Sequence, residues 1–162
     1  MDLSKKILTA LTEDGRYTAE KLAVMFNVSV AEVEKIVAKL ENDGVIVKYT
    51  AVINNEKAGE ELIDALVEVK VTPQARAGFE KIADELSCFP EVKNVYLMSG
   101  TYDFSIALEG KTMREVALFI SEKLSGIDCI TSVSTHFILK KYKEGGVVLG
   151  EKTSSKRMSI HE

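Results

Sequence analysis

Residues 97–103 read LMSGTYD, and they bring two hydroxyls, a glycine, a phenol and a carboxylate into one short stretch. A free α-amino acid carries an ammonium and a carboxylate close together, and this stretch has groups for both. Gly100 can adopt a positive φ and let backbone N–H groups close on an anion. Asp103 can pair with an ammonium, Ser99 and Thr101 offer hydroxyls, and Tyr102 can wall a pocket or pack on a neighbouring subunit. Thr135, on the last predicted strand, falls in the same region. The same residue types also suit a β-hairpin turn in which Asp103 satisfies turn amides, so at this point both readings stand.

Other chemistries are poorly represented. Cys88 and Cys129 each lack a second cysteine at metal-ligand or redox spacing and read as reduced thiols. His136 and His161 are too few and too far apart for a zinc site, and no nucleophile, base and orienter stand at short spacing. The expectation is therefore no metal, no cofactor and no catalytic residue. The net charge of −4 excludes a broadly basic nucleic-acid coat, so any DNA contact must be local. No apolar run reaches the length of a membrane span, and MDLSKK has no signal-peptide core, so the expected location is the cytoplasm.

The elements that would position these residues fall into two rhythms. In the first, Leu3, Ile7, Leu8 and Leu11 share a helical face that stops at Glu13–Gly15. A second helix runs from an N-cap at Thr18 to a break at Asn27. Ser29 and Glu32 then open a third helix as a capping box, with Val33, Ile36, Val37 and Leu40 as its buried stripe and Gly44 as its end. The β-branched run VIVKYTAVI, 45–53, predicts a strand. Two short helices joined by a tight turn, packed on a first helix and followed by a strand, make a winged helix-turn-helix.

The second rhythm is β-α-β-β-α-β. Strands are expected at 62–71, on both sides of 97–103 and within 129–143; helices are expected at 74–86, with Phe79, Ile82, Ala83 and Leu86 as its stripe, and after the capping box Thr112–Glu115. That order is a ferredoxin-like plait, giving an α+β fold class overall. Val67, Val69 and Val71 alternate with Leu66, Glu68 and Lys70, which leaves both sheet faces partly apolar and points to dimers whose sheets pack together. The expected domains are 1–53, 62–143 and a C-terminal extension 144–162, with the polar stretch NNEKAGEE, 54–61, as linker. The tail from Gly145 reads as flexible or partner-dependent.

The stretches EDGRYTAEKLA, LENDGVIVKYTAVIN, SGTYDF and THFILKKYK, in that order on these elements, resemble the Lrp/AsnC family of transcription regulators, and the likeness extends to about Lys143. The resemblance implies a DNA-binding domain joined to an effector-sensing plait (a RAM-type domain), assembled as dimers and often as tetramers or octamers. It implies an amino-acid effector at the junction between dimers, against residues 99–103. It makes helix 30–43 the recognition helix, with Val30, Ala31, Glu34, Lys35 and Ala38 outward and Lys39 further along. Backbone phosphates would be met by Arg16, Lys21, Lys35, Lys39 and Lys48, any of which equally suits a solvated helix face. Two other readings are a sensing or assembly module that has lost DNA binding, and an enzyme like the sirohaem decarboxylases that resemble this family in fold.

Overall fold

The computed structural model describes residues 2–72 and 78–150. The chain forms two compact units that part after Val52. Among the described residues, no helix is long and apolar enough to cross a membrane.

The first unit is three helices, α1 (Leu3–Glu13), α2 (Ala19–Phe26) and α3 (Val30–Asn42). Their starts and stops are local chemistry. Thr18 accepts a hydrogen bond from the Lys21 N–H and Ser29 from the Glu32 N–H, each filling an otherwise orphan amide position. Asn27 ends α2 in the left-handed region at φ 54°, which a short polar side chain tolerates and a β-branched one does not. Ile7, Ala10, Leu22, Ala23 and Val33 form the buried centre, with Ile36, Val37, Phe26 and Leu11 packed around it.

The predicted strand 45–53 is not observed: no residue of it joins a sheet among the described residues, and Val47 is 87% exposed. β-rich composition supplies one half of a ladder, and a strand exists only where another strand meets it. The predicted linker 54–61 contains a single helical turn, α4 (Asn55–Ala58), capped by the Asn54 side chain accepting from the Lys57 N–H.

The second unit is the expected plait. Strands β1 (Ile63–Val71), β2 (Val92–Leu97), β3 (Phe104–Gly110) and β4 (Ile130–Ile138) form one antiparallel sheet in the order β2-β3-β1-β4. Helix α5 (Phe79–Ser87) begins later than predicted; positions 74–77 of the expected helix lie outside the described residues. Ala65, Val67, Val69 and Val71 of β1 pack with Ile82 and Leu86 of α5 and with Phe104, Ile106 and Leu108 of β3 to make the core. Helix α6 (Met113–Leu118) runs into a π-helical stretch, Phe119–Leu124, closed by the Ser125 N–H donating to Ile120 O at 2.9 Å. The wider turn buries both Phe119 and Leu124, five residues apart, on the same side.

The tail corrects the sequence reading at two points. Strand β4 stops at Ile138 rather than near 143, and Gly145–Gly146 is a turn rather than the start of a flexible extension. Both glycines have positive φ, 51° and 82°, and they join β5 (Lys143–Glu144) to β6 (Val147–Val148) as a two-residue hairpin. Residues 151–162 of the predicted extension lie outside the described residues.

Candidate functional site

Helix α3 turns Val33 into the core of its unit and leaves Val30, Ala31, Glu34, Lys35, Ala38 and Lys39 exposed. At 100° per residue, Ala31, Lys35 and Ala38 point most directly away from Val33, with Glu34 and Lys39 flanking them on opposite sides. The outward strip is thus two small apolar residues around one ammonium. Alanine suits a thymine methyl, lysine a guanine edge or a phosphate, and Glu34 can accept only from a donor such as cytosine N4.

The expected phosphate contacts are differently placed. Arg16 is already held by Asp14, with Nε donating to Oδ1 at 3.0 Å and Nη2 to Oδ2 at 3.1 Å, which leaves Nη1 as its free edge. Lys21 Nζ lies 4.3 Å from the centre of the Tyr17 ring. Lys48 is exposed on the unpaired segment after α3. Hydrogen bonds from the Arg16 side chain and its backbone N–H hold the Asp14 carboxyl down at about 2, below the ordinary 3.8. Because the folded value is the lower one, the pair's contribution is whole above pH 3.8 and is lost as pH falls through about 2. An NMR titration of the Asp14 side-chain carboxyl is expected to show a midpoint near 2 in the native chain and a higher one in Arg16→Ala, short of 3.8 because the backbone N–H of residue 16 still donates to it.

In the second unit, LMSGTYD closes the β2–β3 hairpin, with the Met98 N–H donating to Asp103 O at 2.8 Å. Asp103 is tied to β1 twice: its N–H donates to Val69 O at 3.0 Å, and its Oδ2 accepts the Val71 N–H at 2.8 Å. One carboxylate oxygen therefore holds the end of β1, where the β1–β4 register shifts between Lys70 and Val71. Ser99, Gly100 and Thr101 are exposed, and Tyr102 is half-buried. Gly100 does not adopt a positive φ, and a Cβ there would meet nothing within 4 Å, so neither backbone strain nor packing among the described residues calls for glycine.

Thr135 does not join that loop. It pairs with Val67 on the core side of the sheet and lines a groove of about 550 Å³ between edge strand β4 and the α6 region. Ser121, Ser125, Thr131 and Ser132 also line the groove, which makes it rich in hydroxyls, and none of residues 99–103 reaches it. The sequence reading missed these four: only the π-helical turn and the β4 register bring them to one wall.

A hollow of about 540 Å³ lies at the opposite end of the sheet from LMSGTYD, lined among others by Leu62, Glu91, Lys111, Val116 and Lys123. Lys123 closes on Glu91 at 2.8 Å, and that hydrogen bond holds the Glu91 carboxyl below its usual range.

Comparison with known proteins places both units. Residues 2–47 match the model of a winged helix-turn-helix DNA-binding domain, and residues 64–148 match that of the Lrp/AsnC ligand-binding domain. The chain is 43% identical over 164 residues to the HTH-type transcriptional regulator YugG of Bacillus subtilis, covering 99% of each chain. Its fold is similar to that of an AsnC-family transcriptional regulator from Agrobacterium tumefaciens, at 26% identity and TM-score 0.72 over 89% of this chain and 94% of that one. It is also similar in fold to the Neisseria meningitidis transcriptional regulator NMB0573 in complex with L-Met, at 24% identity and TM-score 0.72 over 89% and 92%. A DNA-binding helix-turn-helix and an Lrp-type ligand-binding domain stand in one chain whose relatives are named transcriptional regulators: the chain belongs to the Lrp/AsnC family of transcription regulators.

Proposed function

We propose that this chain is a sequence-specific DNA-binding regulator whose C-terminal domain senses an amino acid at a junction between copies of itself, in a homodimer that assembles into tetramers or octamers. The separation of the loop from Thr135 carries this reading. Within one chain Ser99 and Thr101 are exposed and Asp103 is half-buried at a strand end, while the Thr135 groove is open on the edge of the sheet. The loop's carboxylate already has one oxygen taken by the Val71 N–H, and the groove has several hydroxyls but no carboxylate among its lining residues, so a second copy can complete one site from both. The sheet face opposite the helices adds support for assembly. Leu66, Tyr96 and Ile138 are exposed on it around the Glu68–His136 pair, whose atoms are 3.3 Å apart. The solved relative with bound L-Met supports the ligand class.

On this reading regulation is linkage: an effector changes DNA occupancy only by binding one assembly, or one placement of the DNA-binding units, better than another. Titration with each of the twenty amino acids, following melting temperature and oligomer size together, tests the sensing half. At a hundredfold excess over Kd an effector adds about 2.7 kcal/mol, a rise of roughly 10 °C for a unit of this size. If no amino acid moves either quantity, sensing of an amino acid is wrong.

A further inference from the structure

The segment after α3 is the part of the N-terminal unit that helix packing leaves unexplained. Gly44, at φ 68°, turns the chain, and the Val45 and Ile46 N–H groups both donate to Leu40 O, at 2.9 and 3.0 Å. Beyond that turn Val47 is 87% exposed, whereas the Tyr49 side chain folds back and is 45% exposed. Its Oη donates to Glu41 Oε1 at 3.1 Å on the last turn of α3. Its ring lies over the α1–α2 loop, where a Cβ on Gly15 would sit 3.5 Å from Tyr49 Cδ1. Tyr17, Glu34 and Ala38 line the same small hollow. Burial first, and then Glu41, raise the Tyr49 phenol above its ordinary value. One side chain thus touches the recognition helix and the loop that presents Arg16.

We propose that Tyr49 is a positioning residue for DNA reading: it latches the exit segment across α3 and the α1–α2 loop, so that residues 45–49 move with the DNA-binding unit and the chain pivots beyond them. The latch fixes the base-facing strip of α3 against the loop that carries Arg16, and it delivers any displacement arriving along residues 50–54 to both at once. A mobile stretch at 45–49 would absorb the displacement instead. The consequence for DNA rests on the proposed function; the latch itself does not.

Amide hydrogen exchange on the full chain tests the latch without DNA. Tyr49→Ala is expected to speed exchange of the Val45, Ile46 and Tyr17 amides by roughly tenfold, with α1 unchanged, and Tyr49→Phe by less, since the ring remains. Glu41→Ala, which removes the acceptor of the Tyr49 hydroxyl, is expected to match Tyr49→Phe. Unchanged exchange at all three amides in Tyr49→Ala overturns the latch. On a duplex selected from genomic fragments by the unaltered chain, Tyr49→Ala is expected to weaken binding by roughly tenfold and Tyr49→Phe to restore most of it. Faster exchange with unchanged duplex affinity overturns the positioning role. An unaltered chain that selects no duplex overturns the proposed function and the positioning role with it, while exchange still decides the latch.

Discussion

Lys35→Glu is expected to abolish specific DNA binding while the protein stays folded. Lys35 is exposed at the centre of the outward strip of α3, and it is the only cation between Ala31 and Ala38. Losing one good base contact costs about 1–3 kcal/mol, and a symmetric dimer loses it twice, so affinity should fall by at least about 30-fold. Placing a carboxylate against phosphate makes the loss larger at low salt. Lys35 makes no ion pair among the described residues, so the melting temperature should change by no more than about 2 °C. Fluorescence anisotropy on a labelled duplex, with a thermal melt of the same preparation, checks both halves. Lys39→Glu, on the flank of the helix, should show a smaller loss of the same kind.

Asp103 is expected to separate fold from sensing when two substitutions are compared. Asp103→Ala removes the acceptor of the Val71 N–H, leaving a partly buried amide without its partner, a loss of about 1–3 kcal/mol. Asp103→Asn keeps a side-chain oxygen for that amide and removes only the charge. Its stability should therefore lie within about 1 kcal/mol of the native chain. If the carboxylate also receives the effector's ammonium, Asp103→Asn should weaken effector binding by at least about tenfold, the scale of one charge-assisted hydrogen bond. Denaturant midpoints and effector titrations on both variants decide the matter. An Asn variant that is stable and binds the effector normally would confine Asp103 to its structural bond.

The helix-turn-helix was legible in the sequence because its signals are local. Thr18, Ser29 and Asn27 act within a turn of where they stand, and the stripe of α3 needs only its own period. The plait was legible at the level of element order, since alternation in β1 and the N-cap at Thr112 are likewise short-range. What the sequence concealed depends on distant partners. The bond from Val71 to Asp103 spans 32 residues, so a reading of LMSGTYD alone could not choose between turn and ligand roles. Thr135 faces the groove because β4 pairs with β1 in the register Thr135 to Val67, which no local pattern states. The run 45–53 has strand composition without a strand partner among the described residues. The hairpin at 143–148 is a different kind of miss: Gly145–Gly146 is a readable two-residue turn signal, but its strands are only two residues each, too short to show alternation.

The central claim, that this family member reads DNA and couples that reading to an amino acid, meets its most direct test in one measurement. Purified full-length protein is used to capture genomic fragments at two salt concentrations, with and without a mixture of the twenty amino acids. The account predicts a small set of fragments sharing a symmetric motif, retained at the higher salt and redistributed when amino acids are present. Fragments captured without a shared motif and lost in moderate salt, or a motif whose occupancy is indifferent to every amino acid, would contradict it.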